Sequence, residues 1–491
     1  MNQTSYDQVQ VIQQSGNYKR IPVSREILSD IATPIEVLRR LKNVSSHCFM
    51  LESIEDKKQW GRYTFIGYDP TMELTCTNHK MTVKSGAKIE MVVDHPGTYI
   101  KQVLEDNKSP RIEDLPPLTG GLVGYFSYDY IKYSEPSLNL DAEDTENFKD
   151  VDLMLFDKII AFDNFRQKII LIVNIHTDTL PEAYNKALLV LDEMEHLVRC
   201  GNPKKIEPGK LLSKFEPLFD EKAYCEKVEK VKHYIREGDI FQLVLSNRLE
   251  ADFTGSLLNT YRILRTTNPS PYMFYFSSDD VELAGASPET LVKVEDGEVR
   301  TFPLAGTRPR GSSFEEDQRL EQELLADEKE LAEHNMLVDL GRNDLGKLCL
   351  FGTVEVEKYL TVERFSHVMH IGSTLKGRMR DDKTALDAVD AVLPAGTLSG
   401  APKIRACQII NELENNKRGI YGGAIGYLDF TGNMDTCIAI RLAFKKNGKV
   451  FVRSGAGIVA DSEPKKEHQE CINKAMAVMK ALEQAEGEVE I

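Results

Sequence analysis

Two pairs of glutamates stand three residues apart late in this 491-residue sequence: Glu330 and Glu333 in DEKELAEHNMLVDL, and Glu467 and Glu470 in DSEPKKEHQECINKAMAVM. Residues three apart on a helix are surface neighbours, about 5–6 Å between Cβ atoms, so each pair presents two carboxylates side by side. Leu320, Leu324, Leu331 and Val338 mark a buried helical stripe around the first pair, and Ser462 and Pro464 mark a helix start before the second. A helix N-terminus carries partial positive charge and tolerates carboxylates and anionic ligands. Either pair alone also fits a solvated helix face, because glutamate is a good exposed helix former. If the pairs face each other, four carboxylates in one cleft repel unless protons or a divalent cation sit among them. Mg²⁺ fits, since it takes oxygen ligands and keeps part of its shell for water or substrate. Spacing does not choose between these readings.

Four glycine-rich segments place glycines beside hydroxyl or cationic residues: PLAGTRPRG, LPAGTLSGAPKIRA, YGGAIGY and RSGAGIVADSEP. Each suits a tight turn, and each also lets backbone N–H groups approach an anion. GRNDLGK (341–347) satisfies GxxxxGK, but Leu348 replaces the hydroxyl residue that would hold Mg²⁺ and the segment follows a helix, so nucleotide binding is rejected. His367 and His370 have no third ligand nearby at zinc spacing; one pocket-facing imidazole can instead serve as a general acid or base.

These residues need elements to hold them. One break is expected near Cys200–Gly209, where CGNPKKIEPG separates two amphipathic helices, 180–198 and 221–237. The sequence divides accordingly into an N-terminal domain (1–200), a linker (201–214) and a C-terminal domain (215–491). Ser134–Asp150 is acidic with few large apolar residues and reads as an exposed loop. Strand-like runs such as IILIVNI, FQLVLSNRLEA and KVFVRSGAGIVA show no regular alternation with helices, which predicts an α+β fold of mostly antiparallel sheets, a β-sandwich core flanked by helices.

The formal charge of −16 argues against nucleic acid or anionic membranes as partners, and no apolar run approaches the length of a membrane span. The eight cysteines, from Cys48 to Cys471, include no CxxC pair. With a polar N-terminal start, that suits reduced thiols in the cytoplasm.

The ordered set GDIFQLVLSNR, NPSPYMFYF, GASPE, PLAGTRPRG, DEKELAEHNMLVDLGRNDLG, VERFSHVMHIGS, LPAGTLSGAPKIRA, YGGAIGY and RSGAGIVADSEP resembles the chorismate-utilising enzymes, and among them the large subunits (component I) of anthranilate synthase. FMLES, WGRYTFIG and GGLVGYFSYD extend the resemblance over nearly the whole chain. It implies the chorismate-utilising fold and a lyase that aminates chorismate and expels pyruvate, the first step of tryptophan biosynthesis. By that resemblance Glu333 and Glu470 are the principal Mg²⁺ carboxylates, with Glu330 and Glu467 nearby or bonded through water. Arg441 and Tyr421, with the backbone of Gly455, Ala456 and Gly457, hold the enolpyruvyl carboxylate, and Gly306 and Thr307 form a substrate-contacting turn. Glu289, His370 and Thr397 surround the reacting ring carbons, Glu289 as the acid for the departing hydroxyl and His370 as the base for the C2 proton. Relatives that use water, and many aminodeoxychorismate synthases, carry lysine where this chain has Ala305, which favours anthranilate over salicylate, isochorismate or aminodeoxychorismate chemistry.

The resemblance further implies ammonia delivered by a separate glutamine amidotransferase subunit in a heterotetramer of two large and two small subunits. It also implies feedback inhibition by tryptophan bound at Glu52, Ser53, Pro271, Tyr272 and Met273. A non-catalytic tryptophan sensor is the distant alternative.

Overall fold

The strand Lys168–His176 is buried almost end to end, and its two faces go to different places. Ile169, Leu171, Val173 and Ile175 pack with Leu180, Tyr184 and Leu191 of the helix Leu180–Cys200, whereas Ile170 and Ile172 pack with Val123, Tyr125, Ile425 and Tyr427 of a second sheet. This period-two division is what places one sheet between a helical layer and another sheet. It recurs across the computed structural model, which describes residues 3–53, 61–365 and 368–486. Among these, 13 strands form one sheet and 12 the other, and the pairings between named strands are antiparallel. Helices cover the outer faces, as with Ala385–Val392 against Leu122, Leu428 and Ile438. The architecture is the expected α+β sandwich flanked by helices.

Both sheets draw on both halves of the chain. Cys48–Glu52 pairs directly with Tyr272–Ser277. Gly121–Phe126 pairs with Ala424–Asp429, where Gly124 and Gly426 admit close backbone approach: a Cβ at either would stand 2.0 Å from a carbonyl oxygen of the neighbouring strand.

Two local expectations change. The 134–150 segment lacks extended regular structure but is not an exposed loop. Phe148 is buried against Phe444 and Phe451, and Asp150 is buried between Lys132 and Lys417. One apolar anchor and paired charges are enough to dock an otherwise polar loop. The stripe through Leu320–Val338 is divided between two helices, Phe314–Ala326 and Glu328–Gly346, because Asp327 leaves the helical conformation and caps the second through Lys329 N and Glu330 N. Trp60 and His367 lie outside the described residues.

Candidate active site

Three elements wall the candidate cleft: the helix Glu328–Gly346, the helix Pro464–Gln484 and the strand Lys449–Ile458 between them. The strand is held by Gln242–Thr254, with Gly455, Ala456 and Gly457 opposite Ser246, Leu245 and Val244. Its glycines keep the cleft open. A Cβ on Gly455 would stand 2.8 Å from the Leu245 carbonyl and 3.1 Å from the Tyr421 hydroxyl; one on Gly457 would stand 2.8 Å from Gln242 Nε2 and 3.7 Å from Glu333 Oε1. Gln242 Nε2 donates to Glu333 Oε1 at 3.1 Å.

The second acidic helix enters through Lys474. Its ammonium donates to the Gly455 carbonyl at 3.1 Å and pairs with Glu470 at 2.6 Å, one helical turn away. Lys474 also acts electrostatically on Glu289, Glu333, Glu467 and His370, so these side chains share one neighbourhood. The sequence reading passed over this residue. The available signal was Glu470 four residues before a lysine, a spacing usually spent on a solvated helix pair.

Glu333 and Glu467 are both held above the usual carboxylate range, by burial first and then by a neighbouring carboxylate, Glu330 for one and Glu470 for the other. Lys474 pairs with Glu470 and Arg308 approaches Glu330 at 3.5 Å, but among the described residues no cation pairs directly with Glu333 or Glu467; an all-oxygen donor set of this kind fits Mg²⁺. The three metal-capable side chains that do converge within 4.8 Å among the described residues are His47, Glu73 and Asp279. They include none of the cleft residues, and Lys84 already pairs with both of their carboxylates.

Glu289 is buried, its carboxylate accepts from Thr397 Oγ1 at 3.1 Å, and burial lifts it to about 8. It therefore holds its proton at neutral pH, as an acid requires. His370 shows the complement. Its Nδ1 lies 2.7 Å from the Gly306 carbonyl, an acceptor only, so the ring proton sits on Nδ1 and Nε2 keeps its lone pair. Burial, together with Arg441 and Lys474, pulls the imidazole below its usual value, so it is neutral and able to take a proton. Thr307 Oγ1 lies 3.2 Å from the same Nδ1. Gly306 is left-handed (φ 68°), and a Cβ there would come 3.2 Å from Glu330 Oε2. The turn thus connects the histidine with the first acidic pair. Arg308, donating to Asp327 at 2.7 Å, ties the turn to the cap of that helix.

Arg441 is the cation available to a ligand. It adopts φ 53°, is largely buried, and its guanidinium has no hydrogen-bond partner among the described residues. Burial pulls it below its usual value, while Tyr421 and Glu470 act in the opposite direction. A buried cation without a fixed counter-charge suits an anionic substrate group. Ala305, buried and opposite Ile371, contributes only a methyl group beside Gly306.

The proposed effector residues lie along the pairing of Cys48–Glu52 with Tyr272–Ser277. Met273 is in register with Glu52. The Glu52 carboxylate accepts from Tyr261 and from Arg265. Among the described residues the buried Ser53 Oγ has no hydrogen-bond partner, and the Tyr272 hydroxyl reaches Thr290 and Asp435. Pro271 precedes this strand and is partly buried.

A family profile described as chorismate binding enzyme matches residues 46–480. Anthranilate synthase component 1 of Acetivibrio thermocellus is 45% identical over 98% of this chain and 99% of its own length. That of Acinetobacter calcoaceticus is 45% identical over 98% of each. The crystal structure of anthranilate synthase component I from Streptococcus pneumoniae TIGR4 aligns with a TM-score of 0.74 at 39% identity, over 92% of this chain and 98% of that one. The menaquinone-specific isochorismate synthase from Escherichia coli shares the fold, with a TM-score of 0.70 at 20% identity over 96% and 99% of the two chains.

Proposed function

Because the chain belongs to the chorismate binding enzymes, and within them to the anthranilate synthase component 1 group, we propose that it converts chorismate and ammonia into anthranilate, pyruvate and water. The observation that carries this reading is the set of groups gathered in one cleft: buried Glu289 bonded to Thr397, His370 held through Nδ1 by Gly306, Arg441 without a hydrogen-bond partner among the described residues, and the two carboxylate pairs joined through Gln242 and Lys474 to the Gly455–Gly457 strand.

Arg441, with the Tyr421 hydroxyl at Gly455 and the Gly455–Gly457 backbone, receives the enolpyruvyl carboxylate. Glu333 and Glu470, supported by Glu330 and Glu467, are the residues that would hold Mg²⁺, which when bound supplies Lewis-acid polarisation of the ring carboxylate. Ammonia forms a bond to C2, the ring double bond shifts, and the C4–O bond breaks. Glu289 gives its proton to the departing hydroxyl, which leaves as water, and Thr397 holds that carboxyl in place. His370 Nε2 then takes the C2 proton, the enolpyruvyl ether bond breaks, pyruvate leaves and the ring becomes aromatic. Acid–base assistance of this kind contributes about 10²–10⁴-fold per group. Ala305 leaves a small apolar gap where a lysine could activate water, which favours ammonia as nucleophile.

The relatives' designation as component 1 supports a separate partner component. We assign it as the glutamine amidotransferase that supplies ammonia, in a heterotetramer in the cytoplasm. No helix among the described residues is long and apolar enough to cross a membrane. Tryptophan is the proposed inhibitor, held between Glu52, Ser53 and the Pro271–Met273 segment; the orphaned Ser53 hydroxyl supports a polar ligand there. The deciding experiment incubates purified protein with chorismate, Mg²⁺ and an ammonium salt at alkaline pH and identifies products by mass. Anthranilate with pyruvate supports the reading. Isochorismate, salicylate or aminodeoxychorismate as the product overturns it, and tryptophan binding without any turnover favours the sensor.

A further inference from the structure

Glu289 does not sit on a strand. The chain leaves the first sheet at the end of Glu282–Ser287 and enters the second at the start of Thr290–Glu295, so the acid rides on the two-residue crossover Pro288–Glu289. Few bonds fix so short a passage. Glu289 N donates to Ser287 Oγ at 3.3 Å, Ile438 N donates to the Glu289 carbonyl at 3.0 Å, and the strand beyond Thr290 is irregular against Met434–Ile438.

Tyr272 reaches both ends of this crossover. Its backbone is in register with Ser287 at the departure point. Its side chain crosses to the other sheet, where the hydroxyl donates to Asp435 Oδ1 at 2.8 Å and lies 2.9 Å from Thr290 Oγ1, the residue after the acid. With its proton given to Asp435, the Tyr272 oxygen accepts from Thr290. On the other side of the same strand, the neighbouring Met273 is in register with Glu52. One residue therefore contacts the exit of the crossover, its entry and, through its neighbour, the proposed effector end.

We infer that Tyr272 is a positioning residue that pins both ends of the Ser287–Thr290 crossover, thereby aiming Glu289 at Thr397 and the cleft, and that it links the Glu52 end of the molecule to the acid. The first half stands on the contacts alone; the link rests on the effector reading given above. The physical premise is that a misplacement of about 1 Å of a catalytic group costs on the order of 10²-fold in rate. An effector acts only by binding one such arrangement better than another.

The groups facing the acid are Lys474, the Thr397 hydroxyl and the Leu304 backbone N–H; those facing the tyrosine are Thr290, Cys437 and Asp435, with Lys293 and Glu295 behind Asp435. Tyr272→Phe removes only the hydroxyl. The expected result is kcat lower by about 10-fold with KM little changed, and a displaced high-pH limb in kcat. Thr290→Val should reproduce this, and Thr290→Ser, which restores a hydroxyl, should behave as the unaltered enzyme. Lower thermal stability in Tyr272→Phe and Thr290→Val with kcat and the pH limb unchanged would reduce Tyr272 to packing and overturn the inference. Calorimetry with tryptophan separates the link. In Thr290→Val, which lies outside the proposed effector set, unaltered binding with weakened inhibition supports it, and undiminished inhibition overturns it. No tryptophan heat in the unaltered enzyme removes the effector reading and the link together, and leaves positioning to the pH profile.

Discussion

Two collections of buried charge flank the Lys449–Ile458 strand, and they are built oppositely. Glu414, Arg418 and Arg453 are 1% exposed at their side chains and fully paired. Glu414 accepts from Arg418, from Arg453 at 2.8 Å, and from the backbone and hydroxyl of Ser246 at 2.8 and 2.9 Å. Arg418 also donates to the carbonyls of Leu398 and Val244, bracing the turn that carries Thr397. Burial alone would raise Glu414, but the two guanidiniums hold it below its usual value. Glu333 and Glu467 are raised by burial and by the neighbouring carboxylates Glu330 and Glu470; Lys329 and Lys474 oppose this, but neither forms a direct ion pair with them among the described residues. A charge network that closes on itself supports the fold. One that stays open leaves carboxylates for a ligand to complete, the role proposed for this cleft.

The largest separation between the two regions is expected from removing one carboxylate in each. Glu414→Ala leaves two buried guanidiniums uncompensated and should cost about 3–5 kcal/mol of stability, read as a lower urea midpoint. Glu333→Ala removes a repelled carboxylate; it should leave the midpoint unchanged or higher while abolishing turnover. Equal midpoints for the two variants would break the contrast.

Within the open region, Glu289→Gln should lower kcat by about 10²–10⁴-fold with the fold intact. Glu289 is protonated in the folded protein up to about pH 8 but ionises near the usual carboxylate value when unfolded. The folded state therefore binds the extra proton between those values, and its stability falls as pH rises through that window. The rate, normalised to free ammonia, should likewise fall above about pH 8. Glu289→Gln should be stabler than the unaltered protein at alkaline pH and should lose that limb.

Arg441→Ala should raise KM for chorismate by about 10- to 100-fold, the worth of a charge-assisted hydrogen bond of about 1.5–3 kcal/mol. The smallest effect on turnover belongs to the effector end, where Arg265 and Tyr261 already satisfy Glu52. Ser53→Phe should relieve tryptophan inhibition with little change in kcat, and persistent sensitivity would place the effector elsewhere.

What could be read in the sequence was what local spacing encodes. The glutamate pairs, the glycine-rich segments and the helices on either side of Cys200 follow from periods of three to four or from backbone chemistry. Lys474 escaped because an i,i+4 Glu–Lys spacing is the same on a solvated helix and in a cleft. Glu414 and Arg418 show the same spacing, yet they are buried because Arg453, from a strand, completes them. The docking of 134–150 depended on Phe148 meeting Phe444 and Phe451 from far along the chain. The register of Cys48–Glu52 against Tyr272–Ser277 brings the proposed effector residues Glu52 and Met273 together, and Tyr272 of the same strand reaches Thr290, next to the acid. No local periodicity carries a register between segments so distant.

The proposed role of Glu333 and Glu470 is to hold a cation for the substrate, and calorimetry of chorismate without ammonia tests it directly. In the unaltered protein Mg²⁺ should tighten chorismate binding by at least about tenfold, a coupling of about 1.4 kcal/mol. In Glu333→Gln/Glu470→Gln, folded to the same urea midpoint, that dependence should vanish. Chorismate binding in the double variant that still responds to Mg²⁺ as the unaltered protein does would contradict the account.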